Sequence, residues 1–156
     1  MIILGIDPGT HTTGYGLIKK AGREIVHIEN GIVSPKKGLD LALRLSHIYS
    51  GIKGIIEKFR PDAAAIEDVF VATNARSALI LGHARGACML AASSAGIDVY
   101  EYSTREIKKA LVGFGNADKN QVAQMVKRLL KLPEVADADA SDALAAAICH
   151  ANTAKF

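Results

Sequence analysis

Hydrophobic spacing changes character once along this chain, and that change limits the folds open to it. Up to Val33 the apolar residues fall in short extended runs: Ile2 to Ile6, Gly14 to Lys19 and Glu24 to Val33. The break at Lys20-Ala21-Gly22 reads as a hairpin turn. Beyond it, Leu41, Leu45, Ile48, Ile52, Ile55 and Phe59 recur at alternating steps of four and three, one face of a helix. Pro61 stops that helix, because a proline pushes the preceding residue out of the α region. Ala63 to Ile66 is a short buried strand ending at Glu67-Asp68, Asn74 to Ala95 an Ala-rich helix, and Ile97 to Tyr100 a last strand. Helices are predicted over Thr104 to Val112, Ala117 to Leu132 and Asp139 to Ala151. A hairpin meander followed by strand–helix–strand crossovers implies an α/β fold with a five-stranded mixed sheet and helices on both faces.

Length and composition narrow the function classes. At 156 residues the chain is one domain, too short for the two lobes of kinases and actin-like ATPases. With 5% aromatics and no Trp, a base-stacking single-strand platform is not expected. Cys88 and Cys149 belong to no C-x-x-C or Cys/His cluster and read as small buried hydrophobes. The N-terminus lacks a basic region, and Gly5 and Asp7 interrupt its apolar run, so the expected location is cytoplasmic. No Walker A pattern occurs, and neither Gly14-Tyr15-Gly16 nor Gly113-Phe114-Gly115 completes a dinucleotide fingerprint.

The acids are more telling. Asp7 and Glu67 each end a buried strand, where a carboxylate is rare unless paired or bound to a cation. Asp139 and Asp142, three apart at a helix start, share one face. Four carboxylates from three segments, without His or Cys, favour Mg²⁺ or Mn²⁺ over zinc. Two such ions about 3.5–4 Å apart can clamp the attacking and leaving oxygens of a phosphodiester displacement. Each acid also has a simpler reading: Asp7 as a turn opener, Glu67 as a solvated strand end, Asp139-x-x-Asp142 as a helix cap. Asp68 and Asp137 read as surface acids. His11, Thr12 and Thr13 follow Asp7 and can either reach a phosphate or serve the turn.

Charge is distributed unevenly around these acids. From Thr104 to Lys131 the chain carries Arg105, Lys108, Lys109, Lys119, Lys127, Arg128 and Lys131 against only Glu106 and Asp118, a net +5. Leu132 to Asp142 then carries four acids and no base. The whole chain is +3, and +7 once the four candidate ligands are set aside. A cationic surface beside an acidic pocket suits a polyanion held while one bond is cut, although a solvated helix face accounts for the lysines equally.

The motif series resembles the RuvC family of bacterial Holliday junction resolvases. The resemblance rests on Gly5-Ile6-Asp7-Pro8-Gly9-Thr10 with Thr13-Gly14-Tyr15-Gly16, on Ala65 to Phe70, and on Asn74 to Ala78 with Leu81 to Gly86. It continues through Lys108, Val112-Gly113, Lys119-x-Gln121-Val122, Leu132-Pro133 and Ala138 to Leu144. It implies one RNase H-like nuclease domain over 1–156 and Mg²⁺-dependent paired nicking of a four-way junction, leaving 5′-phosphate and 3′-hydroxyl ends. It also implies a homodimer, with RuvA and RuvB as partners. Under it Asp7, Glu67, Asp139 and Asp142 match metal-binding acids, and Lys119 joins them as catalytic. Phe70, Arg76, Lys108, Lys109 and Lys119 match DNA-contacting positions. Gly82-x-x-x-Gly86 falls on a helix at the family's dimer interface, or else packs that helix on its own sheet. The other readings are a catalytically silent junction-binding protein, a related nuclease acting on flaps or hybrids, and an actin-like ATP-binding fragment.

Overall fold

A computed structural model describes residues 1–68 and 74–154. Strands β1 (Ile2–Asp7), β2 (Thr13–Ala21) and β3 (Glu24–Val33) come first, then helix α1 (Leu41–Phe59) and strand β4 (Ala63–Asp68). Helix α2 (Ala75–Ser94), strand β5 (Asp98–Ser103) and helices α3 (Thr104–Val112), α4 (Lys119–Leu130) and α5 (Ala138–Thr153) complete the chain. The strands form one sheet in the order β3-β2-β1-β4-β5. β1, β2 and β3 are antiparallel neighbours, and β4 and β5 join parallel, so the expected five-stranded mixed sheet is present.

Side-chain alternation sorts the strands onto two cores. Ile3, Ile18 and Ala65 pack with Ile107 and Leu111 of α3, Val122 and Val126 of α4, and α5. Leu4, Ile6, Leu17, Ala64 and Ile66 point the other way, onto Ile48, Ile52 and Ile56 of α1 and Ala84, Cys88 and Ala91 of α2. Helices therefore cover both faces. Period two puts Asp7 on the α5 side with Ile3 and Gly5, and Glu67 on the same side with Ala65. The register Gly5↔Ala65 and Ile6↔Ile66, carried one residue further, sets Asp7 and Glu67 side by side where these two inner strands end.

α5 is buried almost all round, from Ala140 to Ala151. Small residues allow this, and the strands beneath supply glycines. A Cβ on Gly5 would lie 1.8 Å from the Ala143 carbonyl oxygen, and one on Gly14 would lie 2.0 Å from that of Asp139. The helix backbone thus rests on the sheet backbone, closer than any side chain permits.

Several boundaries differ from the sequence reading by a residue or more, and three of them have a clear local reason. α4 begins at Lys119, because Asp118 caps it in a reciprocal capping box with Gln121. It ends at Leu130, because Lys131 turns left-handed (φ 54°) ahead of Leu132-Pro133. β5 runs on to Ser103, because Glu101, Tyr102 and Ser103 pair with Ile66, Glu67 and Asp68. Cys88 and Cys149 are both free and buried, and burial pushes each thiol up to about 12, consistent with a packing role. No helix among the described residues is long and apolar enough to cross a membrane.

Two glycine substitutions should separate. Gly14→Ala drives a methyl into the Asp139 carbonyl and should cost about 1–3 kcal/mol by overpacking. Gly54→Ala, in α1 with open space around it, should instead stabilise by about 0.5–1 kcal/mol through helix propensity. Urea titration of both variants reads the difference, and a Gly14→Ala protein as stable as the parent would contradict the close contact.

Candidate active site

Three helix N-termini meet the edge where β1 and β4 end. Thr104 is the first residue of α3, and its Oγ1 donates to Glu67 Oε1 at 2.5 Å. Lys119 is the first residue of α4, and its Nζ donates to Asp142 Oδ2 at 3.2 Å. Asp139 lies in the first turn of α5. The positive ends of three helix dipoles thus face the carboxylates and favour their charged forms.

The four acids from three segments do come together. All four are half-buried, whereas Asp68 and Asp137 are exposed. Asp7 registers the crowding most. Burial, followed by the charges of Asp142, Glu67 and Asp139, pushes its carboxyl up to about 7, with Lys119 acting in the opposite direction. The Lys119 ammonium is held above its usual range, first by the charge of Asp142 and then by their hydrogen bond. Lys119 is 82% exposed and Asp142 24%, so the lysine reaches in from solvent across the mouth of the cluster.

The simpler readings of these acids fail locally. The turn after Asp7 is closed by Thr13, whose Oγ1 donates to the Gly9 carbonyl at 2.8 Å and accepts from Gly9 N–H at 3.3 Å. Glu67 is half-buried against Thr104 and is not a solvated strand end. The N-cap of α5 is Asp137, which makes no side-chain capping bond, so Asp139 and Asp142 sit inside the helix and the capping reading is overturned.

A cavity of about 80 Å³ is lined by Glu67, Thr104, Lys108, Lys119 and Asp142. Lys108 therefore shares a space with two of the acids. Lys109, on the same helix, lines a separate cavity with Arg105, Glu106 and Phe114. Arg76 is exposed in the first turn of α2. Phe70 lies outside the described residues.

Two contributors escape a reading of the sequence. One is Thr104, whose signal was its position just after a strand that pairs with β4. The other is Arg85 of α2, which forms ion pairs with Asp68 (3.4 Å) and with Glu101 beside the cluster. No sequence pattern marks a pairing across two strands and a helix.

The donor set is chemically that of a hard divalent cation: carboxylate oxygens only, crowded enough to hold a proton on Asp7 near neutrality. Among the described residues, no three acidic, His or Cys side chains form a ready-made metal cage. The carboxylates stand as a cluster bridged on one side by Lys119.

The comparisons with known proteins agree with this architecture. A sequence model of "Crossover junction endodeoxyribonuclease RuvC" matches residues 3–150. A protein of that name from Geobacter sulfurreducens is 56% identical over 154 residues, covering 99% of this chain and 94% of the relative. The chain belongs to the RuvC family. The solved structure of T. thermophilus RuvC in complex with Holliday junction substrate superposes with a TM-score of 0.92 at 34% identity, covering 97% of this chain and 93% of that one. The yeast mitochondrial Holliday junction resolvase shares the fold, with a TM-score of 0.67 at 15% identity over 96% of this chain and 78% of that one. The RNase H-like fold of the RuvC family is therefore the fold of this chain.

The Asp7 carboxyl yields a pH prediction for the metal-free protein. Its folded value of about 7 lies above the ordinary 3.8, so the fold binds this proton more tightly than the unfolded chain does. Stability from this group is present below about pH 4 and is lost as pH rises through about 7. The loss is on the order of 4 kcal/mol at most. Asp7→Asn should melt higher than the parent at pH 8 and draw level with it near pH 4. A variant less stable than the parent at pH 8 would contradict the crowding.

Proposed function

We propose that this protein is a Holliday junction resolvase, a metal-dependent endonuclease that makes paired, symmetric nicks in opposing strands of four-way DNA junctions. The observation that carries the reading is the clustering of Glu67, Asp139 and Asp142 around Asp7, whose carboxyl they help push to about 7. Membership of the RuvC family and the likeness to a junction-bound relative support the substrate.

Asp7, Glu67, Asp139 and Asp142 would hold Mg²⁺, with Mn²⁺ as a substitute and two ions per site. Bound there, the cations supply a Lewis acid for the phosphate and a water of lowered pKa as nucleophile. The rest falls to the chain itself. Thr104 restrains the Glu67 carboxylate through its 2.5 Å hydrogen bond. Asp7 would have to be deprotonated to serve as a ligand, since a metal-bound carboxylate is ionised. Lys119, released from Asp142, presents an ammonium to the scissile phosphate, and Lys108 lines the same cavity. Lysine suits this task as a mobile point charge on a flexible stem. Phe70, Arg76 and Lys109 are assigned contacts with the junction away from the reacting atoms.

Paired nicks require two sites, and the outer face of α2 suits a second copy. Gly82 and Gly86 have nothing within 4 Å of an added Cβ, so they do not pack this helix on its own sheet. Leu79 (66% exposed) and Leu90 (58% exposed) extend the same outward stripe. Small residues one turn apart let two helices approach closely, which favours a homodimer through α2 over an internal role. RuvA and RuvB are the proposed partners that move the junction to the site, and the cytoplasm is the proposed compartment.

The reading predicts nicks at symmetric positions in a mobile four-way junction, absent from a flap or a linear duplex of the same sequence and dependent on Mg²⁺. Glu67→Gln should lower the rate by at least about 10²-fold while leaving junction binding intact. Binding without cutting by the unaltered protein would leave a junction-binding protein, and equal cutting of all three DNAs would remove the substrate selectivity. In sedimentation, Gly86→Arg should convert a dimer to a monomer, and a parent protein that is already monomeric would refute the α2 interface.

A further inference from the structure

The sheet edge that carries the acids has a second flank, and it too is cationic. The loop between β1 and β2 and the segment between β3 and α1 enclose a cavity of about 400 Å³, lined in part by His11, Thr12, Lys36, Lys37 and Arg44. Ser34 Oγ donates to the His11 carbonyl at 3.3 Å, tying the two loops together. Arg44 Nη1 faces His11 Nε2 at 3.5 Å, the long limit of a hydrogen bond. The Arg44 Nε atom is buried and has no hydrogen-bond partner. Among the described residues, Lys36, Lys37 and Arg44 form no ion pair. The nearest acid in sequence, Asp40, is engaged as the N-cap of α1, accepting from Leu43 N–H at 2.9 Å.

This arrangement lacks an anion. Two lysines, a guanidinium with an unsatisfied buried N–H, and an imidazole surround one space with no carboxylate to balance them. A buried donor without an acceptor is costly, and the charge-assisted acceptor that best suits a planar guanidinium is a carboxylate or phosphate oxygen. The position decides between these. Asp7 is paired with Gly14, and Gly14 with Ile32, so the end of β3 is two strand spacings from Asp7. That is about 10 Å along the sheet edge. Phosphates follow one another at about 3.4 Å per nucleotide along a strand axis, so the separation corresponds to about three nucleotides. Lys108 and Lys119 occupy the opposite flank, on α3 and α4.

We propose that the cavity between the β1–β2 loop and the β3–α1 segment, with Lys36, Lys37 and Arg44 as its cations, binds a backbone phosphate of a DNA arm about three nucleotides from the bond cut at Asp7. The proposal rests on the nuclease reading and adds a subsite to it. The subsite grips DNA from the flank opposite α3 and α4, so the cleaved strand is straddled by positive charge. Its contribution is to binding and register, because none of its residues belongs to the acid cluster. His11 stands beside the Arg44 guanidinium and lines the same cavity.

The test uses the full chain with a four-way junction in EDTA, so that affinity is read without cutting. Lys36→Ala/Lys37→Ala alters two exposed side chains and leaves both cores untouched; Arg44→Gln and the conservative Arg44→Lys accompany it. The dissociation constant is followed against salt. A phosphate that is no longer neutralised should lower the log–log slope by about 0.9, so the double variant should lose about that much and bind about tenfold more weakly. Arg44→Lys should fall between the parent and Arg44→Gln. Ethylation of single phosphates should interfere with parental binding at a site about three nucleotides from the cut, and that interference should vanish in the variants. A parent that binds and cuts junctions while the variants keep its slope and its interference pattern overturns this subsite alone; an acidic peptide would then be the better occupant. A parent that neither binds nor cuts junctions overturns the nuclease reading and the subsite with it.

Discussion

The structure depends on backbone resting on backbone where α5 crosses β1 and β2. Gly5 and Gly14 leave no room for a methyl beneath the Ala143 and Asp139 carbonyls, and a Cβ on Gly16 would lie 2.6 Å from the Leu144 side chain. A helix seated on side chains would ride several ångströms higher, and its first turns would carry Asp139 and Asp142 out of range of Asp7. The alanines of α5 answer the glycines of the strands: both surfaces are stripped so that the two can touch. The acids are brought together by what the chain omits as much as by what it includes.

Electrostatic crowding follows from that packing. Four carboxylates gathered without a cation repel one another, and the molecule meets this in three ways. Asp7 holds a proton near neutrality, Lys119 reaches across to Asp142, and the N-termini of three helices turn their positive ends inward. Thr104 steadies Glu67 from the first residue of α3. Each device offsets the mutual repulsion of the acids, and Lys119, 82% exposed, is free to swing back into solvent.

Much of this was legible in the residues. The apolar spacing of α1, the two acids ending apolar runs and the turn signals locate every element, because each rests on local chemistry: hydrophobic periodicity, capping and proline. The misreadings share a different cause. Asp139 and Asp142 resemble a cap when only the spacing of acids is considered; the true N-cap is Asp137, which makes no side-chain capping bond that a pattern could reveal. The end of β5 depends on a partner strand distant in sequence. Thr104 and Arg85 gain their roles from contacts across the sheet, for which a linear pattern carries no sign. Gly82 and Gly86 could have faced inward or outward, and only the packing of α2 decides between these.

The proton on Asp7 also bears on how the molecule greets its substrate. A nest of four anions is a poor doorway for a polyanion, and at full charge it would turn the backbone of an approaching duplex aside. With Asp7 near half-neutralised at physiological pH and Lys119 lying against Asp142, the resting pocket shows the incoming strand much less charge than its carboxylates would suggest. The repulsion is kept out of sight until a cation can offset it. Approach and reaction are thereby given different electrostatic faces, built from the same side chains.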